Sequence, residues 1–161
     1  MSLYTYFENQ VAILRALRQR EMSRWRAQQE SVEQHVQIEE ISQIMEKQLK
    51  VYIDFARENP NLYRLAWVLP EVGGESLEEN RQRMHATVEH LARLLKLGME
   101  RGTFEPREPL LAASSVLGMI NMPYILFHSR KLVDLVLRDH MVEEVLSAAI
   151  TYLKKRLDNG F

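Results

Sequence analysis

Apolar residues along this chain recur at intervals of three and four, and no run alternates with period two, so the pattern predicts an all-α fold, a multi-helix bundle. Asn9 is placed to cap a first helix reaching about Val36, with apolar pairs Val11 and Leu14, Met22 and Trp25, and Val32 and Val36. Its opposite face carries Arg15, Arg18, Arg20, Arg24 and Arg26. A second helix is expected from about Gln37 to Glu58, with Ile38, Ile41, Met45, Leu49 and Tyr52 on its apolar stripe, continued by Phe55 or Ala56. Asn59 and Pro60 suit the cap and first position of a short helix ending near Pro70. After the Gly73-Gly74 loop, Ser76 and Glu79 have the spacing of a capping box. The helix they open carries Leu77, Met84, Val88, Leu91, Leu95 and Gly98, and Gly102 suits its C-terminal end. Pro109 opens an uncharged helix, and a break is expected between Ser129 and Leu132. The last helix shows Leu135, Val142, Leu146, Ala149, Leu153 and Leu157 on one face and ends in Lys154, Lys155 and Arg156.

The uncharged segment from Leu110 to Phe127 is about as long as the shortest bilayer spans, roughly eighteen residues. It also holds Ser114, Ser115, Gly118, Asn121 and Pro123, and no Trp anchors it. It therefore reads as a helix buried on nearly all sides of a soluble bundle, with no membrane association. Ser114, Leu117, Asn121, Tyr124 and His128 form a semi-polar stripe on it. Buried polar groups need partners, here a ligand, ordered water or the same helix of a second subunit. The stripe Ser114-Asn121-His128 thus lines either a pocket or a dimer seam. Pro123 removes one helical hydrogen bond.

Composition narrows the chemistry. The 161 residues are 46% hydrophobic and 27% charged, an ordinary globular balance for one domain. A net charge of -1 argues against a dedicated nucleic-acid binder. With no cysteine, disulfides, thiolate nucleophiles and Cys-based zinc sites are excluded. His35, His85, His90, His128 and His140 fall into no metal-ligand spacing, and no phosphate loop or nucleophile motif is present. The expectation is a cytoplasmic protein that is not an enzyme and carries no metal or cofactor, since no secretory signal opens the chain.

The opening residues add a family resemblance. Ser2-Leu3-Tyr4-Thr5-Tyr6-Phe7-Glu8-Asn9-Gln10-Val11-Ala12-Ile13-Leu14 resembles the junction between the recognition helix and the next helix in tetracycline-repressor-like (TetR) regulators. Leu3, Tyr4, Tyr6 and Phe7 match the aromatic end, Asn9 the cap, and Ile13 and Leu14 the helix start. Gln10 stands where the family usually has a phosphate-contacting Lys, and a neutral amide brings no charge to that contact. Tyr52-Ile53-Asp54-Phe55-Ala56-Arg57-Glu58-Asn59-Pro60-Asn61-Leu62-Tyr63-Arg64-Leu65 and Gly98-Met99-Glu100-Arg101-Gly102-Thr103-Phe104 are also similar to recurrent family stretches. The order of helices follows the family's regulatory domain across nearly the whole chain.

The resemblance implies residues 1–8 as a remnant of a helix-turn-helix recognition helix and 9–161 as an effector-binding and dimerisation domain. Tyr4 and Tyr6 would touch DNA only in an intact reader, so operator DNA is a partner only of a chain that has one. The arginines from Arg15 to Arg26 either lie toward DNA in such a protein or form a solvated face with helical partners. A small-molecule effector, at least partly apolar, is expected inside the bundle. Its candidate contacts are Tyr52, Phe55, Tyr63, Trp67, Met84, Val88, Met119, Asn121, Met122, Tyr124 and His128, large adaptable groups or polar groups on the uncharged helix, many of which would equally suit a plain core. A homodimer is expected through the last two helices, with Val142, Leu146, Ala149 and Leu153 at its interface. The alternatives are a helical-bundle enzyme or a ligand-free helical interaction protein.

Overall fold

The computed structural model describes residues 10–34, 40–69 and 74–155. Tyr4, Tyr6, Asn9, Val36, Ile38, Gly73 and Leu157 lie outside the described residues. Within them the chain is a bundle of helices: α1 (Gln10–Glu33), α2 (Ile41–Glu58), α3 (Pro60–Tyr63), a π-helical turn (Arg64–Val68), α4 (Leu77–Glu100), α5 (Pro109–His128) and α6 (Leu135–Leu153). The all-α architecture expected from the periodicity is what the chain adopts.

The boundaries follow from local chemistry. Ser76 Oγ accepts from the Glu79 backbone N–H, and a Glu79 carboxylate oxygen accepts from the Ser76 N–H at 2.8 Å, closing the expected capping box. Glu108 caps α5 through its carboxylate, with Pro109 as the first helical residue. Asp134 does the same for α6, accepting from Val136 N and Leu137 N. Gly102 turns the chain out of α4 at a φ of 72°, a backbone conformation that suits glycine. Asn59 departs from expectation. Its side chain caps nothing at α3 and instead donates back to the Phe55 carbonyl at 3.3 Å, closing α2.

Helix α5 lies at the centre, packed against α4 on one side and α6 on the other. Ala112, Ala113, Val116, Ile120 and Tyr124 sink into the core with Ile44, Met45 and Leu49 of α2 and Leu91 and Leu95 of α4. Gly98 lets the Phe104 ring lie directly on the α4 backbone. The strand-like contact of Phe104 with Lys154, and the Glu105 N–H donating to the Leu153 carbonyl at 3.0 Å, tie the α4–α5 connection to the end of α6.

The expectation that α5 is covered on nearly all sides does not hold. Helix α5 is long and apolar enough to cross a membrane by length and composition, yet only 44% of its apolar window is buried in the bundle. Leu110, Leu111, Ser114, Gly118 and Met122 stay exposed, so it is not covered on nearly all sides. On α6, Val142, Ala149 and Leu153 are buried within the same chain, and Leu146 packs against that core. Val142, Ala149 and Leu153 thus contribute to the chain's own interior, and Leu146 is half-buried against it.

Candidate functional site

The structure places a cleft of about 410 Å³ between α4, α5 and the π-helical turn. Asn80, Met84 and Val88 stand four apart on one face of α4, while Ser114, Leu117, Gly118, Asn121 and Ile125 follow helical spacing on α5. Ala66 and Trp67 close the third side. The π-helical turn holds Ala66 fully buried and sets Trp67 beneath the Arg83 guanidinium of α4.

Among the described residues no charged side chain lines this cleft. Its polar groups are partly committed already. Asn121 Oδ1 accepts from the Tyr63 hydroxyl at 2.8 Å, and Asn121 Nδ2 donates to the Leu117 carbonyl at 2.8 Å. That leaves the second amide hydrogen of Asn121. Ser114 Oγ donates to the Leu110 carbonyl at 2.8 Å and keeps its acceptor lone pairs. Asn80 Oδ1 accepts from Arg83 at 2.8 Å, leaving its amide hydrogens. Such a site suits a largely apolar, uncharged molecule held by a few directional hydrogen bonds.

Behind it sits an aromatic layer. The Tyr63 ring stacks on Trp67 at 6.0 Å between centroids and meets Tyr124 at 5.6 Å and His128 at 5.3 Å. Burial, with Tyr124 alongside, pushes the Tyr63 phenol far above its ordinary range, so it stays a neutral donor to Asn121. Burial also raises Tyr124, against the pull of the Arg57 and Arg138 charges. Burial lowers the His128 imidazole, and the positive charges of Arg138 and Arg64 add to this, so the ring is neutral at neutral pH.

One buried ion pair fixes the outer wall. Arg83 meets both carboxylate oxygens of Glu75, at 3.0 and 3.2 Å, and also donates to the Ala66 carbonyl of the π-turn. Its guanidinium lies over the Trp67 ring at 5.4 Å from the centroid. Arg83 thus binds the start of α4, the loop before it and the turn that presents Trp67.

Of the expected effector contacts, Trp67, Met84, Val88 and Asn121 meet in the cleft. Tyr63, Tyr124 and His128 form the layer beneath. Tyr52 and Phe55 go elsewhere: Trp25 of α1 covers them, with centroids at 4.9 and 5.5 Å. Met119 packs into the core, and Met122 points outward on α5. Ala66, Asn80, Gly118 and Ile125 escaped sequence reasoning. Gly118 had one available signal, its position four residues after Ser114 and four before Met122, which makes a low ridge on the helix surface. Of the arginine row, Arg20 and Arg24 pair with Glu21 at 3.0 Å each, as on a solvated face, whereas Arg18 is buried. Among the described residues no three His, Cys, Asp or Glu side chains are placed to hold a metal.

No family model, curated protein or solved structure matches the chain.

Proposed function

We propose that this chain is the effector-sensing and dimerisation domain of a TetR-like transcriptional regulator, which takes an uncharged, largely apolar small molecule into the cleft between α4 and α5. The observation that carries this reading is the cleft itself, walled by Trp67, Met84, Val88, Leu117 and Ile125 and, among the described residues, free of charged lining. A volume near 410 Å³ falls in the range of small-molecule sites.

A second feature supports the dimer. Leu111, Ser114, Gly118 and Met122 make an exposed stripe on a helix that carries no charge from Pro109 to Phe127. Val136 and Leu137 are exposed at the start of α6, and Ala148 further along it. An uncovered stripe of this kind favours burial against a partner, and Ser114 and Gly118 permit close helix approach. The seam therefore belongs to this outer face of α5 and α6, not to Val142, Ala149 and Leu153. Ser114 and Gly118 belong to both stripe and cleft, so effector occupancy would bear directly on how two subunits sit together. Specific operator binding would require a DNA reader ahead of α1, and the cytoplasm is the expected setting.

Native mass spectrometry of the chain tests both parts together. The expected spectrum is a dimer that retains a small neutral ligand or takes one up from a library of uncharged apolar compounds. A monomer with no ligand and no uptake would overturn the reading.

A further inference from the structure

His128 is the last residue of α5, and the fold sets its half-buried ring against Tyr63, with 5.3 Å between centroids and a tilt of 36°. Tyr63 belongs to the cleft floor in two ways. Its hydroxyl donates to Asn121 Oδ1, and its ring stacks on Trp67 at 6.0 Å. Asn121 and Trp67 both line the cleft. Contact therefore runs without a break from the His128 imidazole through one tyrosine to two cleft residues.

The charges that bear on this ring share one sign. They are Arg64 of the π-helical turn and Arg138 of α6, and no carboxylate among the described residues pairs with His128. Arg138 is enclosed, its side chain 13% exposed and its guanidinium over Phe127 at 4.7 Å and Tyr124 at 5.6 Å. The carboxylate of that cluster, Asp139, is already engaged, 2.7 Å from Arg138 and 4.0 Å from Arg57. Burial keeps the Tyr63 and Tyr124 phenols neutral. A neutral imidazole fits this setting. An imidazolium does not, because like charges repel it and burial withholds water. A half-buried ring at a helix end has a short path to solvent. Its departure uncovers Tyr63 and lets water compete for the hydroxyl that Asn121 accepts. We propose that His128 is an acid-sensitive gate on the cleft: protonation drives its ring off Tyr63, and the loosened floor gives up a neutral ligand. This regulation rests on the reading of the cleft as a small-molecule site. By reciprocity, a bound ligand makes His128 harder to protonate.

One readout needs no ligand. In the nitrogen-15-labelled full chain, the Trp67 indole N–H signal, assigned with Trp67→Phe, is followed from about pH 8 to about pH 5 beside the His128 ring signals. The Trp67 signal should move with the His128 midpoint. It should lose that step in His128→Phe, which keeps a ring on Tyr63 but takes no proton. A second readout uses N-phenyl-1-naphthylamine, an apolar dye that stays uncharged over this range. Its affinity, read by fluorescence, should fall about fivefold across the same interval, the lower end of coupling between sites. His128→Phe should remove the fall. A Trp67 signal that ignores His128, or a dye affinity that acid leaves unchanged or lowers equally in His128→Phe, would overturn the gate and leave the cleft reading in place. A loss of helical circular dichroism that tracks the dye would assign the effect to unfolding and also overturn the gate. No dye uptake at any pH would overturn the cleft reading, and the gate with it.

Discussion

The Tyr63 hydroxyl donates to Asn121 Oδ1 at 2.8 Å, linking the short α3 to the middle of α5 across the floor of the cleft. Both residues are buried, Tyr63 at 1% exposure and Asn121 at 6%. Removing the hydroxyl leaves the buried Asn121 oxygen without that donor. Tyr63→Phe should therefore lower unfolding free energy by about 1–3 kcal/mol. Urea denaturation measures this. Asn121→Leu in the Tyr63→Phe background should cost less than the two single changes added together, because the pair acts as a unit.

Arg83 and Glu75 form the most enclosed ion pair among the described residues, with side chains 11% and 4% exposed. Arg83→Met strands a buried carboxylate and frees the Ala66 carbonyl, and should cost about 3–5 kcal/mol. Adding Glu75→Met should recover much of that loss. Thermal unfolding of the three variants gives the comparison. A single Arg83→Met change that is as mild as an exposed arginine replacement would show that the pair does not hold the π-turn.

Gly98 and Gly118 make opposite predictions for the same substitution. A Cβ at Gly98 would run into the Phe104 ring, so Gly98→Ala should destabilise the fold by about 1–3 kcal/mol through overpacking. A Cβ at Gly118 meets nothing within 4 Å. Gly118→Ala should raise stability by about 0.5–1 kcal/mol, since alanine holds a helix better than glycine. Because Gly118 borders the cleft, a bulky Gly118→Trp should keep the helical circular dichroism while abolishing uptake of the neutral ligand.

Two substitutions test the proposed dimer seam. Met122→Glu lies on the exposed stripe of α5 and should yield a folded monomer by light scattering. Ala149→Arg, placed in the core at 0% exposure, should unfold the chain instead of splitting a dimer. A folded monomer from Ala149→Arg would return the seam to the inner face of α6.

His128 should make stability depend on pH. The fold lowers its proton affinity below the ordinary value of 6.5, through burial first and then through Arg138 and Arg64. Near that value the unfolded chain binds more protons than the folded one, so stability rises with pH. The contribution is fully present above 6.5, is lost as pH falls toward the folded value, and levels off below it. His128→Phe should flatten that slope in urea unfolding between about pH 7 and pH 5. An unchanged slope would assign the dependence to other groups.

Much of the fold was legible because helix signals are local. The Ser76–Glu79 capping box, Pro109 at the start of α5 and Gly102 after α4 each act within a few residues, and each sits where the spacing put it. Asn59 was misplaced by one turn's worth of competition. Its amide found the Phe55 carbonyl behind it before any N–H ahead, a contest that spacing does not resolve. Half of the site was legible too: Trp67, Met84, Val88 and Asn121 are the kind of side chains a small-molecule cleft uses. Tyr52 and Phe55 are of the same kind, yet Trp25 covers them, because periodicity tells which residues share a face and not which helix meets it.

The sequence alone determined the number of long helices, their approximate ends, the apolar nature of α5 and the absence of cysteine chemistry. These follow from hydrogen bonds and side-chain entropy within a turn or two of helix. Only the tertiary structure decided that α5 has an uncovered side, that Val142, Ala149 and Leu153 belong to the chain's own core, and that the aromatic residues divide between the cleft and the α1 contact. Cavities and seams arise from the shapes of two facing helices together, and no single stretch of chain encodes the gap between them.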